Sequence, residues 1–393
     1  MTLESKIRSL LEIAIKKVPY YSYLQSYDEY YELTKFPVIT RDILSNENVH
    51  FINSDYIHDL KQMICLRTSG TSTGHPMEIY WKSDDYIKSS KSIWKYRKKW
   101  YDISPFDTYI CFHTYMYYGN RVEKNQLYFY HKNYLSLNAH ELDDNRLRDY
   151  CNLIKKYKPK WIQFIPNIAL KFVTYMEKNN INPFESVEYI EYNGETLSDA
   201  IRQRVDNFFN VKSANLYGSI ETNSIAYECP HHNIVFMNEN IWVESINGKI
   251  YITNLHNTVM PLIRYDLGDR IELIPNKCSC SNSPFSITKI YGRNTDGIRI
   301  GNTFVTESLA GYCIDYANGN LCNSIQQYQF IRKNNMWNLV LYIAPKFNGW
   351  QETIKSEIIA IMKIQKIYIK RENIIFVNHE IPYANKKFNV FNY

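Results

Sequence analysis

A chain of 393 residues exceeds what one hydrophobic core serves, so a large domain with a smaller companion is expected. Its 45% hydrophobic and 22% charged residues are an ordinary globular composition. The formal charge of +6, from 46 basic against 40 acidic residues spread along the chain, lacks the clustered stripe of a nucleic-acid binder and supports only a modest attraction for anionic ligands.

The opening MTLESKIRSLLEIAIKK sets Leu3, Ile7, Leu10, Leu11 and Ala14 on one helical face and breaks it with Arg8 and Glu12, so it lacks the apolar core of a signal peptide. No later run has the length of a membrane span, and a cytoplasmic address is expected. Eight cysteines would be reduced there, which turns attention to their spacing. The 35 tyrosines read as a compositional bias of the source.

Helical signals fill the first stretch, where Pro37 in FPVITRDIL ends one segment and starts another. MICLR (63–67) and MEIYW (77–81) read as short strands flanking a Gly/Ser/Thr loop. DTYICFHTY is strand-like, NRLRDYCNLIKKYKP helical, KWIQFIP strand-like and IALKFVTYMEKN helical. VEYIEYNG, TLSDAIRQRVDNFF and SANLYG continue as strand, helix and strand, and this alternation predicts an α/β architecture. From about residue 234 to 290 short strands dominate, predicting an antiparallel subregion or a small β-barrel. Beyond GRNTDGIRIGN the order helix, strand, strand, helix, strand fits a small α+β domain of about 100 residues. The expected division is 1–294 and 295–393, with neither internal repeats nor low-complexity tracts.

The loop between the first two strands, TSGTSTGHP, gathers Thr68, Ser69, Thr71, Ser72 and Thr73 around Gly70 and Gly74. It is not a nucleoside-triphosphatase P-loop, because His75 and Pro76 stand where Lys-Ser/Thr would and a strand follows. Two glycines still let backbone N–H groups turn toward an anion, and five hydroxyls add donors. The plain alternative is a polar turn between strands.

Further stretches carry a pattern: NGE at Asn193, Gly194 and Glu195; NLYGSIE with Tyr217, Gly218, Ser219 and Glu221; PLIRYDLGD ending at Asp269; YGRNTDGIRIGN with Arg293; and IPYANKKF with Lys387. Together with the TSGTSTGHP loop, and in this order, they resemble the signatures of the adenylate-forming superfamily. VPYYSYL with FPVITRDIL, GHPMEIYW without a lysine after the proline, and ECPHH…PLIRYDLGD…CSC resemble its phenylacetate-CoA ligase and CapK-like branch. The resemblance implies an α/β fold: a large N-terminal domain of α/β layers with a small β-subdomain, holding nucleotide and acid, and a small mobile α+β C-terminal domain.

It also implies a task for each matching residue. Adenylation places charge on the α-phosphate, so donors, a metal and a cation are needed around it. Residues 68–74 would hold the β- and γ-phosphates. Glu221 would bind Mg²⁺, a hard cation that takes carboxylate oxygen. Tyr217 would stack on adenine, lined by Asn193, Gly194 and Glu195, with Gly218 and Ser219 beside it. Asp269 would accept from the ribose hydroxyls, Arg293 would contact ribose or phosphate, and Lys387 would bridge the attacking carboxylate and the α-phosphate. His113, Phe164, Ile165, Pro166 and Tyr192 are acid-pocket candidates at strand ends. Each residue alone has a plainer reading: a solvated strand end for Glu221, a turn residue for Asp269, a core ring for Tyr217.

Cys278-Ser-Cys280 and, some fifty residues earlier, Cys229-Pro-His231-His232 supply ligands of the type tetrahedral zinc takes, or bind nothing. The related branch carries a further histidine near Phe236 of this chain, which moves the expected fourth ligand to His231 or His232. Cys65, Cys111, Cys151, Cys313 and Cys322 show no metal spacing and read as small buried hydrophobes. Ile220 replaces a hydroxyl residue before Glu221, Thr295 the hinge aspartate, and Lys386 the glycine before Lys387.

The expectation is an ATP- and Mg²⁺-dependent, AMP-forming ligase that adenylates an aryl or acyl carboxylic acid and passes the acyl group to coenzyme A. Transfer to an amine or a carrier protein is the runner-up. A non-catalytic nucleotide-binding scaffold is the reading from another class, motivated by Ile220, Thr295 and the altered lysine motif.

Overall fold

The computed structural model describes residues 2–26, 32–67, 77–113, 117–118, 121–122, 127–139, 142–246, 249–293, 297–382 and 389–392. Internal contacts divide the chain into two units, each made from two stretches: residues 1–104 with 216–290, and residues 105–215 with 291–393. The expected division at 294/295 falls within the second unit.

In the first unit, the helix Leu3–Lys17 starts where the Thr2 hydroxyl accepts from Ser5 N at 3.2 Å, and it buries Leu10, Leu11, Ala14 and Ile15. These join Tyr21, Phe36, Phe51 and Trp81 in a core completed by Val259, Met260, Leu262, Ile263 and Tyr265. Ile64–Arg67 and Glu78–Trp81, the expected short strands flanking the Gly/Ser/Thr loop, pair antiparallel.

The helix Ser83–Tyr101 has no counterpart among the sequence expectations. Its inward face carries Asp85, Ser89, Ser92 and Arg97 beside Ile93 and Trp100, so apolar periodicity is weak. Hydrogen bonds hold that face instead: Ser92 Oγ donates to Asn240 Oδ1 at 2.8 Å, and Asn223 Nδ2 to Ser89 Oγ at 2.7 Å. From Ile234 the strands are antiparallel. One sheet has the order Ile241–Ile246, Lys249–Asn254, Tyr265–Asp266. Another runs Asp269–Pro275, Phe285–Arg293, Ile234–Phe236, Asn223–Glu228 and on to residues 216–219 of the strand Lys212–Ser219. The antiparallel subregion is therefore present, and among the described residues its strands lie in open sheets, where a small barrel was the other expectation.

In the second unit, residues 212–215, Tyr189–Tyr192, Trp161–Phe164, Tyr109–His113 and Tyr134–Asn138 are parallel neighbours, with Tyr128–His131 antiparallel at the edge. The helices Asp144–Tyr157, Pro166–Lys178 and Asp199–Phe209 alternate with them, as in α/β folds. The strands read as near-continuous apolar runs because both faces are covered.

The stretch after residue 296 begins with the hairpin Gly297–Ile300 and Thr303–Thr306, whose two-residue turn sets Gly301 at φ +59°. The helix Glu307–Asn320, strands Ile325–Lys333 and Met336–Ile343, helix Gln351–Ile364 and strand Ile374–Val377 follow in the expected order. Ile314, Phe330, Leu341 and Ile358 form a core proper to this stretch. On the other sheet face Val340 and Tyr342 join the core built by residues 105–215.

Candidate active site

The motif residues of the first unit converge on the end of the strand Lys212–Ser219. Pairing with Asn223–Glu228 shifts register between Tyr217 and Gly218. A Cβ on Gly218 would stand 2.7 Å from Asn223 O, so this close backbone approach requires glycine. The turn that follows is closed by Ser219, whose Oγ accepts from Thr222 N at 3.2 Å, while Asn223 takes φ +62°. Ser219 thus serves the turn. Ile220 packs against the Tyr265 core, which gives the departure from a hydroxyl residue a structural reason.

PLIRYDLGD is pinned on both sides. Tyr21 Oη donates to Pro261 O at 3.1 Å and accepts from Ile263 N at 3.3 Å. Arg264, in the left-handed region at φ +55°, sends its guanidinium to Phe36 O at 2.8 Å and to Glu244 at 3.2 Å. Gly268 at φ +74° donates to Asp266 Oδ1 at 2.8 Å, and this turn delivers Asp269 to the head of its strand. There Tyr217 Oη donates to Asp269 Oδ2 at 2.6 Å, both residues half-buried.

Glu221 is buried, and both contacts of its carboxylate among the described residues reach Oε1: Tyr265 Oη donates at 3.1 Å and Arg41 Nη1 lies at 3.8 Å. A carboxylate beside substrate phosphates is how Mg²⁺ is commonly held, so the donor chemistry fits that ion. Tyr265 stands in the PLIRYDLGD stretch and Arg41 in FPVITRDIL, but the sequence reading gave neither a task.

At the base of the Gly/Ser/Thr loop, Arg67 Nη2 pairs with Glu78 Oε1 at 2.7 Å and Tyr80 Oη donates to Glu78 Oε2 at 2.5 Å. The Tyr80 hydroxyl, and after it Arg67, hold Glu78 below the usual glutamate range, while partial burial opposes them. Thr68, Ser69, Gly70, Thr71, Ser72, Thr73 and Gly74 lie outside the described residues, as do Lys387 and the side chain of Arg293.

In the second unit the NGE loop leaves the strand Tyr189–Tyr192 with Asn193 N donating to Phe164 O at 3.0 Å and Gly194 at φ +83°. Glu195 Oε2 accepts from Asn167 Nδ2 at 2.9 Å. Of the acid-pocket candidates, His113 Nε2 meets Tyr134 Oη at 2.7 Å and Pro166 opens the helix Pro166–Lys178 after Ile165. Phe164 and Tyr192, also acid-pocket candidates, lie in the core. Both are fully buried, Phe164 stacked on Phe112 with centroids 5.0 Å apart and Tyr192 donating to Asp206 Oδ1 at 2.7 Å. Their inward places on a sheet covered on both faces are the reason.

Cys229, Cys278 and Cys280 bring their sulfurs within 4.8 Å of one another, with Cys229 and Cys278 at 3.6 Å. Tetrahedral zinc with Zn–S bonds of ~2.3 Å sets its sulfurs about 3.8 Å apart, so the trio fits such an ion. Asn276 shapes the loop by accepting from Cys278 N at 2.9 Å and donating to Ser283 O at 2.9 Å. Burial raises the Cys280 thiol to about 12, with Cys278 and Cys229 adding to it. The histidines do not join the trio: His231 is exposed, and the exposed His232 pairs with buried Glu228, Nδ1 to Oε1 at 2.8 Å. Phe236 is buried in apolar surroundings.

No family model matches the chain. It is 22% identical over 360 residues to Protein CapK of Staphylococcus aureus, covering 82% of this chain and 76% of that protein. It is 29% identical over 164 residues to a phenylacetate-coenzyme A ligase of Thermus thermophilus, a match covering 37% of this chain and 36% of that enzyme. Among solved structures, a 2-hydroxyisobutyryl-CoA ligase in the postadenylation state, in complex with R3-HIB-AMP, shares the fold with a TM-score of 0.74 at 14% identity, over 99% of this chain and 88% of that one. Motif order and sequence relatives make the chain similar to the adenylate-forming ligases of the phenylacetate-CoA ligase and CapK branch, and the fold agrees with that similarity.

Proposed function

We propose that this protein is an ATP-dependent, AMP-forming ligase that adenylates an aryl or acyl carboxylic acid and transfers the acyl group to coenzyme A. The observation that carries the reading is the convergence of Tyr217, Asp269 and Glu221 around one strand end, each in the motif position that the resemblance assigns to nucleotide or metal. The carboxylate of the acid attacks the α-phosphorus of Mg·ATP, forming the acyl–O–P bond and expelling pyrophosphate. The thiol of coenzyme A then attacks the acyl carbon and expels AMP.

In this reading Glu221 holds Mg²⁺, Asp269 takes the ribose hydroxyls, and the loop 68–74 and Lys387 supply donors and cation to the phosphates. Residues 295–393 are the mobile domain that carries the lysine, the cysteine trio holds structural zinc, and the protein works in the reducing cytoplasm. The related ligases named above support coenzyme A as acceptor.

The test is pyrophosphate release from ATP and Mg²⁺ across a panel of aryl and acyl acids, with hydroxylamine trapping the acyl-adenylate. Release with at least one acid, abolished by Lys387→Ala, is the expected result. ATP binding without release across the panel would instead favour the non-catalytic scaffold. Thioester formation with coenzyme A, set against amide formation with amines, decides the acceptor.

A further inference from the structure

The strand Ile325–Lys333 carries a device that the motifs do not account for. In a regular strand Ile325, Gln327, Gln329 and Ile331 would share one face. Ile325 instead lies with Phe330 in the core proper to the C-terminal stretch, whereas Ile331 packs on the core of residues 105–215. The switch of face comes from the register shift between Ile325 and Gln327, an extra residue at Gln326 that re-aims the side chains after it.

The two re-aimed glutamines grip both sides of the segment that contains Lys387. Gln327 Oε1 accepts from Ile381 N at 2.8 Å, and Gln329 Nε2 donates to Asn389 O at 2.8 Å. Gln327 also reaches the other way: its Nε2 donates to Asn167 Oδ1 at 2.7 Å, and Asn167 Nδ2 donates to Glu195 Oε2 at 2.9 Å. Gln327 and Asn167 are both buried, and each amide uses its oxygen and its nitrogen in one directional chain from Ile381 to Glu195.

We propose that Gln327 and Asn167 are positioning residues, which fasten the chain ahead of Lys387 to Glu195 of the adenine-side loop for the adenylation half-reaction; this rests on the ligase reading above. Polar amides suit a fastening that must also open, because water replaces each hydrogen bond when the two sides part, so the net cost of separation is small. Gln327→Leu removes both bonds of the central amide at nearly constant volume, and Asn167→Ala removes the link to Glu195.

The experiment has two arms. Amide exchange resolved at Ile381 needs no acid substrate: Gln327→Leu should speed it about tenfold or more, with amides in the strand Met336–Ile343 unchanged. In the second arm, ATP–pyrophosphate exchange is compared with thioester formation from preformed acyl-adenylate. Both variants should lower the first about tenfold or more and leave the second within about twofold. A double-mutant cycle of Asn167→Ala with Gln327→Ala should be strongly non-additive, and it stands in if Gln327→Leu fails to fold. Unchanged exchange at Ile381, equal loss of both half-reactions, or full additivity overturns the proposal. A wild-type protein inert toward the whole acid panel overturns the ligase reading instead.

Discussion

The Tyr217 hydroxyl donates to Asp269 Oδ2 at 2.6 Å. One neutral-to-charged hydrogen bond contributes about 1.5–3 kcal/mol at most, and less where both groups are half-exposed. Tyr217→Phe should therefore raise the KM for ATP by roughly fivefold to tenfold and leave the melting temperature nearly unchanged. Asp269→Ala should lose about a hundredfold or more in kcat/KM, since ribose binding goes with it. Equal ATP KM values for Tyr217→Phe and wild type would show that the bond does not orient Asp269 for the nucleotide.

Glu221 divides its carboxylate between Oε1, held by Tyr265 and close to Arg41, and Oε2. Glu221→Gln keeps an acceptor for Tyr265 but removes the charge that a hard cation needs. The Mg²⁺ concentration for half-maximal pyrophosphate release should rise about tenfold or more, whereas Tyr265→Phe should shift it only slightly. A Mg²⁺ titration of each variant measures this. An unshifted midpoint in Glu221→Gln removes the residue from the metal site.

Cys229, Cys278 and Cys280 predict one zinc per chain in purified protein, read by elemental mass spectrometry. Cys278→Ser should lose the metal and lower the melting temperature, and a chelator should make the thiols of the wild type reactive toward a disulfide reagent. Purified protein that is metal-free and still melts cooperatively at the same temperature rules the zinc out.

Glu78 predicts a dependence on pH. Its carboxyl is held low in the folded state by Tyr80 and Arg67, so the stabilisation is complete above the unfolded glutamate value of about 4.3 and disappears as pH falls through the lower folded value. The difference in thermal stability between wild type and Glu78→Gln should hold steady from neutral pH down to about 5 and close below about 4. A difference that stays constant to pH 3 contradicts the assignment to Glu78.

The alternation of strands and helices was legible because buried parallel strands such as Trp161–Phe164 are apolar throughout and their helices are amphipathic. The C-terminal order was legible for the same reason. The helix Ser83–Tyr101 was not, because serines and an aspartate mediate its inward face through hydrogen bonds. Asp269, Tyr217 and Glu221 could be nominated from motif order; Tyr265 and Arg41 stand in quoted stretches too, but their meeting at Glu221 could not be read there. An ordinary tyrosine and arginine gain meaning only when the chain folds them beside a buried carboxylate. The full burial of Phe164 and Tyr192 was not legible, because a strand end near a site and a strand interior have the same apolar sequence.

The interleaving of the two units also orders events on the ribosome. Residues 1–104 hold much of an apolar core, yet Val259, Met260, Leu262, Ile263 and Tyr265, which complete it, emerge only after the whole stretch 105–215. At ~5–20 residues per second the nascent N-terminal stretch, with Tyr21, Phe36, Phe51 and Trp81, waits roughly ten to thirty seconds for the residues that complete its core. During that interval it is a natural client for holding chaperones, and slowing translation between codons 105 and 259 would lengthen its exposure to aggregation.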